Sequence, residues 1–280
     1  MNIPFIKIQN AGNDYIYLDK NSLSGKRIAK SSLARKICDR HRGAGADGIF
    51  VVDKISSNSA QVEMYNSDGS SMEFCGNGVR GASLYLRDKF KSRAKSFYVY
   101  TSSHEYEIVI VKRLASKQQA RLRIGSPSFD ISAIGLPGRV KNSLGIELNT
   151  QYGNRILYCV AMPNPHAVIF VDSFDFEWQK EGAAIENHAI FKNKTNVMFT
   201  RVDSKSKLAV MPWERGAGAT LSCGSGAAAA TVISFLLGYV KGLVSVQMPG
   251  GILKTEWDIP ENSVRQEGPS EIAYAGIFRI

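Results

Sequence analysis

The chain opens on a pattern of period two. Ile3–Ile8 alternates apolar and polar side chains, a Gly12-Asn13-Asp14 turn follows, and Tyr15–Asp19 carries aromatic and β-branched residues. Two strands joined by a turn are expected. Ser31–Arg40 reads as a short helix, and Gly48–Val52, Gln61–Tyr65, Ser96–Thr101, Glu105–Val111 and Ala120–Ile124 read as strands set apart by Gly, Ser, Asn or charged residues. Within this sheet-rich half the period changes once. Val79, Ala82, Leu86 and Phe90 fall on one helical stripe of Gly76–Phe90, directly after Cys75-Gly76-Asn77-Gly78. The second half has the same layout. Leu157–Val160, Ala167–Val171, Asn196–Phe199 and Leu208–Met211 are strand-like, and Ala227–Leu237 follows Cys223-Gly224-Ser225-Gly226 as a helix apolar on every side, hence enclosed.

The two halves correspond residue by residue at three places. Cys75 and Cys223 stand 148 positions apart (223 − 75 = 148), each heading a Cys-Gly-polar-Gly turn into a helix. Nine residues before each cysteine a polar residue follows an aromatic one, Tyr65-Asn66 in one half and Trp213-Glu214 in the other. Asn13-Asp14-Tyr15 and Asn164-Pro165-His166 each precede a strand, 151 positions apart (164 − 13 = 151). Three matches in the same order indicate duplication. We therefore expect two homologous domains, 1–118 and 119–272, with the boundary near Lys117–Ala120; 280 residues are enough for two cores.

With 44% apolar and 21% charged residues the chain falls among soluble globular proteins, not disordered or fibrous ones. Met1–Asn10 lacks the apolar core of a signal peptide, so a cytoplasmic location is expected. The most apolar stretch, Gly226–Leu243, is interrupted by Gly238 and carries Lys241; it reads as a buried helix, with no membrane partner. The net charge of +10 raises the question of a polyanion, since Lys20–Arg42 and Arg87–Lys95 are basic. Asp39 and Asp88 interrupt those stretches and no nucleic-acid motif accompanies them, so we read a solvated surface and no nucleic-acid partner. The four cysteines form no C-x-x-C or Cys/His cluster, which speaks against a disulfide framework and against a metal site. Cys38 and Cys159 read as buried structural thiols, His41 and His104 as surface residues, and His188 as structural.

Cys75 and Cys223 differ from those thiols in their setting. A Gly-rich turn into a helix leaves backbone N–H groups unpaired, and the helix dipole adds partial positive charge there. A thiolate is favoured in that place, as a thiol acting as a base near neutral pH requires. One such cysteine fits a nucleophile or a redox sensor equally well. Two on duplicated halves suggest something narrower, because inverting a stereocentre needs a base on one face of a carbon and an acid on the other. The backbone N–H groups of Gly76, Asn77, Gly224 and Ser225 are suited to a substrate carboxylate, whose charge grows as the α-proton leaves. No pyridoxal-type motif is evident, so no cofactor is expected. The pattern points to a small-molecule amino-acid substrate and to racemase or epimerase chemistry.

The segments Gly12-Asn13-Asp14-Tyr15, Gly45-Ala46-Asp47-Gly48, Tyr65-Asn66-Ser67-Asp68-Gly69, Glu73-Phe74-Cys75-Gly76-Asn77-Gly78, Asn164-Pro165-His166, Thr195-Asn196-Val197, Trp213–Gly218, Cys223-Gly224-Ser225-Gly226 and Pro249-Gly250-Gly251 together resemble the diaminopimelate epimerases. The resemblance covers nearly the whole chain. It implies an α+β (mixed α/β) fold of two pseudo-symmetric domains, each a mixed sheet curled around a central helix, with Ala273–Ile280 returning to the first domain. It implies interconversion of LL- and meso-2,6-diaminoheptanedioate in lysine and peptidoglycan precursor synthesis. By the same resemblance Cys75 and Cys223 are the acid and base, and His166 and Glu214 adjust their protonation. Asn13, Asn66, Asn164, Asn196, Glu214 and Arg215 match substrate-holding positions, with Arg215 suited to a distal carboxylate.

Plainer readings stand beside these. The asparagines are also turn formers, Asn13 and Asn164 above all; His166 also caps a turn; and Glu214 with Arg215 also reads as a surface ion pair. The chain departs from the family pattern at Ala219 and Met198, where Glu is common, and at Pro163 and Asn10, where Gly is frequent, which bears on substrate preference. A racemase of histidine, glutamate or a proline derivative and a thiol redox protein are the alternatives; a phenazine-pathway type would lack the cysteine pair. Monomer and homodimer are both open.

Overall fold

The computed structural model describes residues 2–25, 28–72 and 75–280. Met1, Lys26 and Arg27 of the basic stretch, and Glu73 and Phe74 of the cysteine motif lie outside the described residues. The chain divides into two units, Met1–Arg123 with Glu267–Ile280, and Ile124–Gln266. The first contains β1 (Asn2–Asn10), β2 (Asn13–Asp19), α1 (Lys30–Ile37), β3 (Gly48–Lys54), β4 (Ser59–Asn66), α2 (Gly76–Lys89), β5 (Ser96–Tyr100), β6 (Glu105–Arg113) and β7 (Lys117–Gly125). The second contains α3 (Ile131–Ile134), β8 (Leu144–Thr150), β9 (Gly153–Met162), β10 (Asn164–Phe170), α4 (Trp178–Glu186), β11 (Asn196–Ser204), β12 (Lys207–Glu214), β13 (Gly218–Ala219), α5 (Gly224–Leu236), β14 (Val244–Met248) and β15 (Gly251–Asp258). A last strand, β16 (Ser263–Arg279), runs from the second into the first.

These limits differ by a few residues from those expected at 118 and 273. β7 stays paired with β6 as far as Leu122, opposite Ile108. At the other limit, Glu267 is ion-paired with Arg121 at 3.3 Å and Ser270 donates a 2.6 Å hydrogen bond to buried Asn10. Pairing and buried polar contacts thus carry the first unit past the limits read from the repeat.

The same succession of pairings occurs in both units. β1 and β2 are antiparallel, β2 and β3 parallel, β3 and β4 antiparallel, β4 and β5 parallel, β5 and β6 antiparallel. β9, β10, β11, β12, β14 and β15 follow the identical sequence of orientations. α2 falls between β4 and β5, and α5 between β12 and β14. In the first unit β16 neighbours both β7 and β1, so the sheet closes upon itself and leaves no free edge there. α2 packs against β1, β2, β3, β5 and β6, and α5 against β9, β10, β11, β12, β14 and β15. Each unit is therefore a mixed sheet wrapped around one helix.

That wrapping changes the reading of α2. A single apolar stripe was expected, yet every residue from Gly76 to Leu86 is buried, including Asn77, Arg80 and Ser83. A helix enclosed on all sides must pair its polar side chains internally: Ser83 donates to the Arg80 carbonyl and accepts from Gln118 at 2.6 Å. α5 begins at Gly224, so the Cys-Gly-Ser-Gly segment forms its first turn. It ends at Leu236, and Gly238 with φ 72° turns the chain toward β14; the apolar run to Leu243 is not one helix. Among the described residues no helix is long and apolar enough to cross a membrane.

The first hairpin also differs from expectation. Asn10 pairs with Asn13, so the turn is Ala11-Gly12, with φ of 52° and 96°, and Asn13 and Asp14 belong to β2. Positive φ at both turn residues matches the right-handed twist of the strands it joins. β8, β14, β15, α3 and α4 have no counterpart in the sequence reading. In β8 only Leu148 is buried, which leaves no alternation to read, whereas β14 buries Val244, Val246 and Met248 alternately in a strand of five residues.

The close approach of helix and sheet yields a stability prediction. A methyl group at Gly78 would overlap the Phe50 ring, whereas one at Gly226 would meet the flexible thioether of Met198. Gly78→Ala should cost about 1–3 kcal/mol through overpacking. Gly226→Ala should cost less, because a methionine side chain can repack. Urea unfolding of both variants checks the order, and Phe50→Leu should recover part of the Gly78→Ala loss.

Candidate active site

Each long helix is capped by a cysteine. Cys75, with φ −156° and ψ 90°, is extended and its Sγ accepts the Gly78 N–H at 3.2 Å. Cys223, with φ −131° and ψ 109°, accepts the Gly226 N–H at 3.3 Å in the same way. Helix N-caps are ordinarily hydroxyls, carboxylates or carboxamides, groups that accept a hydrogen bond from the first turn. A sulfur in that position receives the same N–H and the positive end of the helix dipole, which favours thiolate. The next residues, Gly76 and Asn77 in one helix and Gly224 and Ser225 in the other, bring first-turn N–H groups that have no acceptor within the helix.

In the first unit, β2 delivers the neighbours of Cys75. Tyr15, the third residue of β2, places its hydroxyl 3.1 Å from Cys75 Sγ. Asn13, the first residue of β2, accepts from the Asn77 amide at 2.7 Å and donates to Asp47 at 3.4 Å. Asp47 lies in the Gly45–Gly48 motif and accepts the Asp14 N–H, while Asp14 accepts the Asp47 N–H, both at 3.1 Å. Arg40 bridges the two carboxylates and Lys7 meets Asp14 at 2.7 Å. Burial alone would raise Asp14, but the bonds from Arg40 and Lys7 outweigh it and hold it below its ordinary range; burial and the Asp14 charge raise Asp47. This network anchors the strand that carries Asn13 and Tyr15. Asn66, at the end of β4, donates instead to Ser70 at 2.9 Å, a turn-forming bond.

In the second unit, β10 plays the part of β2. His166, the third residue of β10, is wholly buried, with Nδ1 2.7 Å from the Asn164 carbonyl and Nε2 3.1 Å from Ser225 Oγ. A carbonyl only accepts, so Nδ1 carries the proton and Nε2 accepts from the serine. Ser225 Oγ is in turn 3.6 Å from Cys223 Sγ, so His166, Ser225 and Cys223 form a line of groups able to pass a proton. Burial, helped by the Arg215 charge, lowers His166 to about 4 against the bond to Asn164, and the ring is neutral at ordinary pH.

Glu214, at the end of β12, accepts from Thr220 at 2.6 Å. Burial first and the Glu214 carboxylate second push the Cys223 thiol well above its ordinary value. Asn196 opens β11 and uses its amide on backbone, donating to Pro165 at 2.9 Å and accepting the Arg215 N–H at 2.9 Å. Exposed Arg215 donates to the Asn193 carbonyl at 3.0 Å. The buried side-chain oxygen of Asn164 has no hydrogen-bond partner among the described residues, an acceptor suited to a substrate ammonium group.

The sequence reading placed no role on Tyr15, Thr220 or Glu186. Glu186 holds the Glu214–Arg215 turn from both sides, accepting from Trp213 Nε1 at 2.7 Å and from the Gly216 N–H at 3.0 Å. Tyr15 was visible as the counterpart of His166 in the repeat, and that correspondence was the available signal. Thr220 stands opposite Met72 in the repeat, a residue of different chemistry, and Glu186 lies in a segment for which the sequence reading found no repeat partner. Cys38 and Cys159 are buried, and burial raises each thiol to about 12, in keeping with structural roles.

Comparison with known proteins covers the same residues. A family model described as diaminopimelate epimerase matches residues 5–129 and 158–272. Curated relatives named diaminopimelate epimerase include one from Carboxydothermus hydrogenoformans, 38% identical over 98% of each chain, and one from Microcystis aeruginosa, 34% identical over the full length of both. Among solved structures, a probable proline racemase from Agrobacterium radiobacter shares the fold at a TM-score of 0.70 and 12% identity, covering 98% of this chain and 92% of that one. A phenazine biosynthesis protein of the PhzF family from Bacillus anthracis does so at 0.70 and 13%, covering 100% of both. With its family model matched across both units and its relatives aligned end to end, the chain belongs to the diaminopimelate epimerase family.

Proposed function

We propose that the protein interconverts LL- and meso-2,6-diaminoheptanedioate by exchanging one α-proton between two sulfur atoms, those of Cys75 and Cys223. The observation that carries this reading is the pair of cysteines at equivalent helix N-caps in duplicated units. A thiolate on one face of the substrate carbon removes the α-proton, leaving an electron pair delocalised into the carboxylate. A thiol on the opposite face delivers its own proton to the carbon, and the sulfurs exchange protonation states. The reverse reaction runs with the roles exchanged. The α-proton is weakly acidic, so the first-turn N–H groups of α2 and α5 would stabilise the carboxylate as its charge grows. Asn13 and Asn164 would orient the amino group, and Arg215 would grip the distal carboxylate through its fork of donors. Ser225 and neutral His166 would adjust the protonation of Cys223. No external proton acceptor or cofactor enters this scheme, and the product belongs to lysine and cell-wall precursor synthesis in the cytoplasm.

Wild-type protein incubated with the LL isomer in deuterium oxide should give meso product with deuterium at one α-carbon. Cys75→Ala and Cys223→Ala should each lower turnover by about 10³-fold or more, since each removes an acid–base group and no neighbour replaces it. Absence of both exchange and meso product from reduced, folded wild type would exclude this substrate.

Neutral His166 also has a consequence for stability. Its folded value of about 4 lies below the ordinary 6.5, so between these pH values the unfolded chain binds a proton that the folded one refuses. Stability contributed by neutral His166 is therefore present above pH 6.5 and lost as pH falls toward 4, by at most about 3 kcal/mol. Urea midpoints measured at pH 7 and 4.5 should fall less in His166→Gln than in wild type.

A further inference from the structure

Among the described residues the largest fully buried side chain is a cation. Arg80 has no exposed surface, and enclosing a guanidinium costs several kcal/mol unless charge and hydrogen bonds compensate. One of its nitrogens, Nη2, donates to Asn77 Oδ1, while Nε and Nη1 have no hydrogen-bond partner among the described residues. Arg80 stands five residues after Cys75 (80 − 75 = 5), and the position five after Cys223 (228 − 223 = 5) holds Ala228, also fully buried. At this enclosed position the duplicated helices thus differ in charge, a guanidinium against a methyl. Nine residues before the cysteines the difference has the opposite sign: Asn66 in the first unit, the Glu214 carboxylate in the second.

We propose that Arg80 is a positioning residue for Cys75: its enclosed positive charge, held by Asn77, keeps Cys75 as the resting thiolate, and Cys223 rests as the thiol. The assignment rests on the epimerase reading for its purpose but not for its test. Among the described residues, the charges that act on Arg80 are those of Cys75, Tyr17 and Glu267. Cys75 Sγ donates to the Tyr15 hydroxyl at 3.1 Å, and a hydroxyl can turn to donate once the sulfur has lost its proton. Tyr17 donates to the Gly78 carbonyl at 2.6 Å, and burial holds it well above its ordinary value. Burial raises Tyr106 to about 12, so both phenols are neutral at working pH. Glu267 is already ion-paired with Arg121 at 3.3 Å. Burial lowers Arg80 to about 10, and Cys75 comes first among the charges that oppose this, ahead of Tyr17 and Glu267. Asn77 makes the link directional, because it accepts from Arg80 and donates to Asn13, fixing the first turn of α2 against β2.

The test reads Cys75 without substrate. Iodoacetamide alkylation of each cysteine, followed by peptide mass across pH, gives the midpoint of each thiol. In wild type the Cys75 midpoint should lie below about 8.5, the ordinary thiol value. In Arg80→Met it should rise by at least about one unit, a tenfold loss of thiolate at neutral pH. Arg80→Lys should restore most of it, and the Cys223 midpoint should stay in place. A folded Arg80→Met with an unmoved Cys75 midpoint overturns the proposal, as does a wild-type Cys75 midpoint at or above the ordinary value. If Arg80→Met does not fold, nitrogen-15 arginine spectra of the native chain decide: the Arg80 Nε–H resonance should shift with the Cys75 titration and lose that shift in Cys75→Ser. A resonance indifferent to that titration overturns it equally. Failure of epimerisation with a normal Cys75 response would instead reject the functional reading alone.

Discussion

The structure is organised by the need to hold a sulfur at the positive end of a helix and away from water. Dipole and first-turn N–H favour thiolate, and the burial that surrounds the helix opposes it. For Cys223 burial prevails, since the thiol is pushed far up even though the Gly226 N–H reaches it. Most of the fold follows from meeting both demands. The sheet must wrap the helix closely, so the first turn must be free of bulky side chains, and Gly78 lies against Phe50 for that reason. Enclosure in turn favours internal partners for the polar side chains on α2, and Asn77 and Ser83 find them in Asn13, the Arg80 carbonyl and Gln118, while Arg80 keeps two nitrogens unpaired among the described residues.

Much of this was legible in the sequence. The duplication, the two capped helices and most central strands show in the spacing of Cys75 and Cys223 and in the change of period after each. The segments that were not legible have physical causes of their own. α4 buries two carboxylates, Glu181 and Glu186, beside Gly182 and Ile185, and pairs them with Arg155 and with Trp213 and Gly216. Buried carboxylates interleaved with the apolar positions break the stripe that a sequence reading relies on. The hairpin at Ala11-Gly12 shows a related limit: Asn13 is a good turn residue, yet pairing with Asn10 draws it into the strand. At the site, Asn13 and Asn164 were visible as repeat partners, but the contact of Tyr15 with Cys75 spans 60 residues and no local pattern encodes it.

The departures from the family pattern have separate explanations. Met198 is fully buried, with its thioether beside the first turn of α5, so it fills space where a carboxylate would need a partner. Asn10 is fully buried and accepts from Ser270, binding β1 to β16 by a side-chain bond. Pro163 and Ala219 are exposed, one in the tight turn between β9 and β10 and one in β13. Two of the four thus act in packing, and neither Met198 nor Asn10 offers a charge to a ligand.

Duplication alone would leave a two-thiol epimerase with an ambiguity. Two equivalent sulfurs sharing one exchangeable proton would have no preferred resting arrangement, and substrate would meet the wrong one half the time. The chain breaks the equivalence with single residues while keeping the backbone repeat: Tyr15 against His166 on the strands, Asn66 against Glu214 before the helices, and Arg80 against Ala228 within them. The asymmetry has an upper bound. Each unit of difference between the two thiols adds about 1.4 kcal/mol to proton transfer in one direction, and a reversible enzyme cannot afford many such units. Groups of moderate influence suit that bound better than a direct ion pair at the sulfur. Arg80 is tied by Asn77 to the first turn that Cys75 caps, and His166 stands behind Ser225, whose hydroxyl lies 3.6 Å from Cys223 Sγ. Acting at one remove, each can bias a thiol without fixing its proton.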